Sequence, residues 1–431
     1  MERDLRADLS PGARSGRRLA PAPTLKHGQK PGSKPTQHAA DPGRNFAAGP
    51  PELTLYVHVP WCVRKCPYCD FNSHAMHDAL PERRYIDALL ADLDAQLGAG
   101  VEARPLRSVF IGGGTPSLCS GAAIRRLLDG VRARCQLAAD VEITLEANPG
   151  TIDAGYFEDY LLAGVTRLSI GVQSLSAHHL VALGRIHDPR QALAAYTTAR
   201  QVGYDNVNLD MMFGLPGQTI AQARDDLERL IALQPEHLSY YQLTMEPNTA
   251  FAQSPPAVAD DDELCDMQDQ GIALLAAAGY QRYEVSAYAR EHGRCRHNLN
   301  YWRFGDYIGI GAGAHGKLTH AAGGQLDGQV ERRTCRRHPD AYVANADRLS
   351  TRRWLSDQDL ILEFALNAFR LVDGVESALF ERQTGLSRNR LDVIVAQAQQ
   401  DELLASEPGW LRPSALGLRF LTDLVARFDI A

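Results

Sequence analysis

Cys62, Cys66 and Cys69 stand in the run His58-Val-Pro-Trp-Cys-Val-Arg-Lys-Cys-Pro-Tyr-Cys-Asp70. The spacing is C-x3-C-x2-C, directly after an apolar stretch that reads as a strand. Three thiolates on one short loop can hold three corners of a cubane [4Fe-4S] cluster. The fourth iron then has no protein ligand and is open to a small molecule. A structural zinc site wants four ligands, usually two close pairs across a longer loop. The other cysteines, Cys119, Cys135, Cys265, Cys295 and Cys335, are scattered singly, so the spacing points to the cluster. Disulfides are not expected, because no secretory signal is visible and a reducing compartment is anticipated.

Such a loop needs a scaffold to hold it. From Leu53 onward, short β-branched runs alternate with longer amphipathic stretches. Strands are expected over Leu53–Val59, Ser108–Ile111, Val141–Glu146, Arg167–Val172, Asn206–Phe213 and His237–Leu243. One helix opens at Pro81 and carries Tyr85, Ile86, Leu89, Leu90, Leu93 and Leu97 on one face. Another covers Pro189–Val202, with Gly203 at its end. Alternation of this kind predicts an α/β fold with a parallel sheet and right-handed crossovers. Six units suit an incomplete (β/α)6 barrel.

Barrels of this type place their chemistry at the C-terminal ends of the strands. Polar and glycine-rich residues fall there in this chain. Gly112-Gly113-Gly114-Thr115-Pro116 follows the second strand, Glu146 ends the third, Gln173 follows the fourth, and Asp210 lies in the fifth. Arg185 comes shortly after the fourth. The glycine turn lacks the spacing of a dinucleotide fingerprint and has no P-loop lysine. It is either a tight turn needing positive φ or a place where backbone approaches a ligand closely. A carboxylate can hold an ammonium group or ribose hydroxyls, and an arginine can hold a carboxylate.

Composition bounds the rest. The 431 residues are 45% hydrophobic and 23% charged, as in ordinary globular proteins, and are enough for a large catalytic domain plus an appendage. A net charge of −7 speaks against a general nucleic-acid binder. No apolar run is long enough to span a bilayer. A cytoplasmic protein that touches membranes only at their surface is therefore expected. Residues 1–50 carry nine Lys and Arg against four Asp and Glu, and are rich in Pro, Gly, Ser and Ala. Such a segment cannot bury enough surface to offset its ordering entropy, and it reads as a disordered basic tail. The barrel is expected over 51–290 and a connecting segment over 291–354. A C-terminal domain over 355–431 would hold three helices, Asp357–Leu371, Val375–Thr384 and Arg388–Leu404, and a short β-wing over Gly409–Phe420. This α+β arrangement resembles a winged helix. Asp392, Asp401 and Glu402 deny it a basic recognition face, so a packing role is expected.

The cysteine spacing, with Tyr68 before the last cysteine, resembles the radical S-adenosylmethionine (SAM) enzymes. That resemblance implies SAM binding by Tyr56, Tyr68, Gly113, Gly114, Thr115, Glu146, Gln173, Arg185 and Asp210. The glycine turn would contact the SAM amino group, and the reduced cluster would cleave SAM to a 5′-deoxyadenosyl radical. Tyr56–Cys62, Gly112–Ser117, Glu146–Gly150, Gly171–Ser174, Gly184–His187 and Asp210–Gly217 are together similar to the coproporphyrinogen III dehydrogenase family, from Leu53 to the C-terminus. One branch of that family decarboxylates two propionates of the porphyrinogen. Another binds heme and passes it to acceptor proteins, in the cytoplasm or at the membrane. The dehydrogenase branch carries a further cysteine two residues after the third ligand, where this chain has Phe71. The chaperone branch carries H-N-x-x-Y-W, matched here by His297-Asn298-Leu-Asn-Tyr301-Trp302. The resemblance implies a heme site at His297, Tyr301 and Trp302, with Cys295 a weaker candidate. On side-chain chemistry alone, His297 reads equally well as a hydrogen-bonded core histidine. The expected function is heme chaperoning, with the dehydrogenase as the alternative. The sequence leaves the oligomeric state and the acceptor open.

Overall fold

The computed structural model describes Arg44, Phe46 and residues 49–429, apart from 77–78, 99–100, 102–103, 152–153 and 321–327. The first strands follow the expected order: β1 (Leu53–Val59), β2 (Leu106–Gly113), β3 (Leu137–Ala147), β4 (Arg167–Gln173), β5 (Val207–Phe213) and β6 (His237–Gln242). They pair in parallel and in sequence, each with the next. Helices bridge them: α1 (Glu82–Gln96), α2 (Gly121–Arg132), α3 (Ala154–Ala163), α4 (Pro189–Val202) and α5 (Ile220–Ile231). Tyr85, Ile86, Leu89, Leu90 and Leu93 of α1 are all buried, as their spacing demands. Asp188 caps α4 in a reciprocal box with Gln191, Pro189 occupies the first turn, and Gly203 closes the helix at φ 111°. A cap of this kind contributes about 1 kcal/mol.

The sheet extends beyond these six strands on both sides. Next to β6 lie β8 (Ala287–Ala289) and, outside it, β7 (Gln281–Glu284), both reached through α6 (Asp261–Ala277). On the far side of β1 come β9 (Asp306–Ile310), β10 (His315–His320), β11 (Gln329–Cys335) and β12 (Leu349–Trp354). Strand β9 runs parallel to β1, and β10 to β12 follow antiparallel. The order is β12-β11-β10-β9-β1-β2-β3-β4-β5-β6-β8-β7, a twelve-stranded sheet whose two end strands do not pair. The barrel is therefore open, as six units imply. Residues 306–354, read from the sequence as a connection, supply four of the twelve strands. Between β8 and β9 stands α7 (Arg296–Trp302).

The C-terminal region has a core of its own. Leu360, Phe364, Phe369, Phe380, Leu424 and Phe428 pack together around α8 (Asp357–Ala368), α9 (Ala378–Thr384) and α10 (Asp392–Gln400). Phe304 and Val330 join this core from the side of the large sheet. The expected β-wing is shorter than read. Trp410–Leu411 pairs with Val375–Glu376, Pro413 makes a single bridge to Leu404, and Ala415–Arg419 is helical. Ser414 caps that turn through the Gly417 N–H at 2.9 Å, which draws the following residues into a helix. The basic tail lies mostly outside the described residues, but Arg44 and Phe46 are among them. Arg44 meets Asp357 at 2.8 Å, and Phe46 is buried in the C-terminal core.

Charges inside β9 and β10 replace the usual apolar pattern. Asp306 and Lys317 are both fully buried and 2.8 Å apart. Arg104 reaches the other Asp306 oxygen at 3.0 Å, Thr319 donates to both oxygens, and Lys317 lies over the Phe304 ring. Burial works to raise the Asp306 carboxyl, but Lys317 and Arg104 outweigh it and hold the group below its ordinary range. A buried pair breaks at high cost because the survivor keeps its charge without a partner. Lys317→Met should lower the unfolding free energy by about 3–5 kcal/mol in a urea titration. Asp306→Asn combined with Lys317→Met should recover part of that loss.

Candidate functional site

Strand β1 runs through Pro60 into the cysteine loop. A two-residue ribbon, Trp61–Cys62 with His74–Ala75, closes the loop at its base. Asn72 ties its far side to the sheet, donating to the carbonyls of Ala312 at 2.9 Å and Arg337 at 2.8 Å. His58 links Tyr56 to the Asn72 carbonyl through its two ring nitrogens. The loop is thus held at both ends by backbone and side-chain bonds. Its three thiols face one pocket of about 260 Å³ at the C-terminal ends of the strands.

Those thiols sit in a setting that favours a metal cluster. Burial raises the Cys62 and Cys69 thiols above their ordinary range. Thr115 Oγ1 donates to Cys62 Sγ at 3.4 Å, and Arg185 Nη1 to Cys66 Sγ at 3.7 Å. These donors offset only part of the cost of thiolates half-withdrawn from water, and iron cations would supply the rest. Among the described residues, no three His, Cys, Asp or Glu side chains converge on a single metal ion. A cubane does not require that, since each thiolate binds a different iron. The donor set fits a [4Fe-4S] cluster.

The opposite wall of the pocket is polar. Gly113, Gly114, Thr115, Glu146, Gln173, Arg185 and Asp210 all line it, together with Tyr68. Gly113 has φ 114°, and a Cβ there would stand 2.5 Å from the His58 ring. Only glycine lets the chain turn so close to β1. Its N–H donates to Glu146 Oε2 at 3.0 Å. Burial pushes the Glu146 carboxyl up to about 7, with Asp210 repelling it further and the Gly113 N–H pulling the other way. Asp210 is also raised by burial, against hydrogen bonds from Asn208 and Ser239. Gln173 has φ 68°, a left-handed conformation costly for a side chain, and Tyr241 donates to its Oε1 at 2.8 Å. Two acids, a buried guanidinium and close backbone can together take a ligand carrying an ammonium, a carboxylate and hydroxyls.

Five of the candidate residues lie elsewhere. Tyr56 turns into the barrel, bonded to His58 Nδ1 at 2.9 Å and stacked near Phe110. His297 is a core histidine. Ser108 Oγ holds its Nδ1 and the Tyr301 hydroxyl its Nε2, both at 2.9 Å, and Phe110 stacks on the ring. Burial first, and then Arg167, push the imidazole down to about 3. In this structure both ring nitrogens are engaged in hydrogen bonds. Tyr301 packs edge-on against His297 and Tyr307, and Trp302 lies under Arg370 beside the C-terminal core. Cys295 is buried, with its thiol bonded to Glu142.

The sequence reading missed Tyr241, Asn148 and Ser169, which also line the pocket. It also missed a polar thread through the barrel. Asp210 accepts from Asn208 at 2.8 Å, Asn208 bonds His237 at 2.6 Å, and His237 bonds Tyr283 at 2.8 Å. Asn208 and Asp210 share one face of β5 at a spacing of two, the one sequence signal for this thread.

Residues 56–230 match the Radical SAM superfamily, and residues 355–420 match the HemN C-terminal domain. The heme chaperone HemW of Escherichia coli (strain K12) is 52% identical over 82% of this chain and 92% of its own length. The heme chaperone HemW of Haemophilus influenzae is 46% identical, over 88% and 98%. The structure of coproporphyrinogen III oxidase HemN from Escherichia coli superposes with a TM-score of 0.73 at 22% identity, covering 88% of this chain and 90% of that one. That likeness concerns the fold, whereas the likeness to the chaperones extends through the sequence of nearly the whole of each relative. An open barrel with three cysteines on its first loop, continuous with a HemN-type C-terminal domain, makes this chain a member of the HemW family of radical SAM proteins.

Proposed function

We propose that the protein takes up heme and hands it to heme-accepting proteins, and that it carries a [4Fe-4S] cluster on Cys62, Cys66 and Cys69 with SAM beside it. Membership of the radical SAM superfamily implies the cluster and SAM. The observation that carries the chaperone reading is the 52% identity to a heme chaperone along most of both chains. Phe71 supports it. It is 57% exposed at the mouth of the cysteine pocket, in the position where the dehydrogenase resemblance calls for another cysteine. The cytoplasm is the proposed setting, and contact with membrane-bound acceptors would be made at the surface. None of the described helices is long and apolar enough to cross a membrane.

The residues divide the work. A cluster and SAM held here supply one-electron chemistry. Thr115 and Arg185 donate toward two of the cysteine sulfurs and offset their negative charge. Glu146 and Asp210 are placed to accept from an ammonium group or ribose hydroxyls, and Arg185 to hold a carboxylate. Gly113 and Gly114 keep the wall thin enough for the ligand to approach backbone. Tyr68 and Tyr241 cover the apolar side.

Anaerobically reconstituted Cys66→Ala should lose its cluster iron and its visible absorption, while Cys119→Ala keeps both. Retention of full iron in Cys66→Ala would refute the ligand set. The pH dependence of SAM affinity tests the acidic wall. Glu146 holds a proton below about 7, and a cationic ligand needs it ionised. Affinity measured by calorimetry should therefore climb by up to roughly tenfold per pH unit approaching 7, then level off. Glu146→Gln should bind weakly and lose that slope. Purified protein should also take up heme stoichiometrically, read from the Soret band, and leave coproporphyrinogen III unconverted with SAM and reductant present. Conversion without heme uptake would establish the dehydrogenase reading instead.

A further inference from the structure

A second cavity is larger than the cysteine pocket. It lies at the opposite, N-terminal ends of the strands, between the sheet and the C-terminal helices, and encloses about 800 Å³. Sites for drug-sized ligands span roughly 300–1,000 Å³ and favour such junctions between cores. The pocket on the cysteine side, at about 260 Å³, falls below that range even before a cluster and SAM are placed in it.

The walls of the large cavity are of two kinds. Leu299, Leu371, Val375, Leu379 and the half-exposed Trp410 make an apolar side. Arg107, Arg294, Arg296, Arg303 and Arg382 make a charged one together with Glu52, Asp140, Asp373 and Glu376, with one arginine in excess. Four of these arginines reach carboxylates of Glu52, Asp140, Asp373 or Glu376, at 2.6–4.0 Å. Those pairs are solvent-exposed and each contributes only about 0–1 kcal/mol, so an incoming carboxylate can displace them. Arg303 is exposed and, among the described residues, has no acidic partner at all. Gln383 also lines the cavity, and its Oε1 is buried with no hydrogen-bond donor. Among the described lining residues there is no His, Cys or Met.

We infer that this cavity is a porphyrin site: it takes a flat apolar ring against Trp410 and the leucines, and grips carboxylates at the ring edge through Arg303 and its neighbours. The inference rests on the heme-chaperone reading and names where that cargo sits. Helix α7 explains why the motif and the site adjoin. It turns His297 into the barrel core while Arg296, Leu299, Asn300 and Arg303 face the cavity. Binding comes from ring burial and propionate contacts, since no imidazole or sulfur on the cavity wall is offered to iron.

The test is a titration of reconstituted full-length protein with heme and, separately, with metal-free protoporphyrin IX, followed by absorbance and tryptophan fluorescence. Wild type should bind both with comparable affinity. Arg303→Glu should weaken both by about tenfold or more, as expected for loss of a charge-assisted bond worth ~1.5–3 kcal/mol. Trp410→Ala should weaken both as well. Neither variant should change iron content or SAM binding, which confirms that the fold is intact. If wild type binds heme but both variants bind like wild type, the cavity assignment is wrong while the chaperone reading survives. Loss of heme binding in His297→Ala, with protoporphyrin ignored by wild type, would overturn it in favour of iron ligation at the motif. If wild type binds no heme at all, the chaperone reading itself fails, and this inference with it.

Discussion

Two carboxylates in the wall of one pocket set the terms for the cysteine end of this barrel. Glu146 and Asp210 stand on β3 and β5 at the pocket wall, where burial raises both carboxyls and Asp210 further raises the cost of ionising Glu146. The protein offsets this only in part. Gly113 gives one N–H, Asn208 and Ser239 donate to Asp210, and Arg167 lies deeper in the barrel. The remaining deficit suits a cationic ligand, whose charge completes what the fold leaves short. The need for the Gly113 N–H in turn requires the chain to turn at positive φ against His58.

The cysteine loop faces the same constraint. Thiolates withdrawn from water are costly, as carboxylates are, and the loop is held in place by side-chain bonds. Asn72 anchors it to the carbonyls of Ala312, in the turn between β9 and β10, and Arg337, just past the end of β11. The added strands β9 to β12 therefore do more than widen the sheet. They give the loop its outer support, and their own stability rests on the buried Asp306 and Lys317 pair and on Glu331. Burial works to raise Glu331, yet His320, Arg333 and Arg352 hold it down at about 2.

Two ends of one barrel carry two kinds of cavity, joined through its interior by Asp210, Asn208, His237 and Tyr283. Asp210 lines the small polar pocket and Tyr283 the large one. The cysteine end is narrow and rich in hydrogen-bonding groups, as a ligand of fixed shape demands. The other end is wide, with exposed ion pairs that exchange readily, as suits cargo that must leave again.

Local chemistry made much of this legible in the sequence. β1 and α4 have the bounds expected of them, because β-branched runs and a proline-to-glycine helix frame are properties of neighbouring residues. The cysteine spacing and the strand-end glycines are local for the same reason. Strands β9 to β12 escaped notice because Asp306, Lys317, Glu331 and Arg333 break the apolar alternation, and their burial makes sense only once each has met its partner. His297 shows the limit most clearly. The H-N-x-x-Y-W motif places aromatic neighbours around an imidazole. Whether that imidazole faces a ligand or the core was decided by Ser108, 189 residues away in sequence, and by the Phe110 ring stacked on it. Spacing along the chain determines which groups travel together, but only packing between distant segments determines which of their atoms remain free.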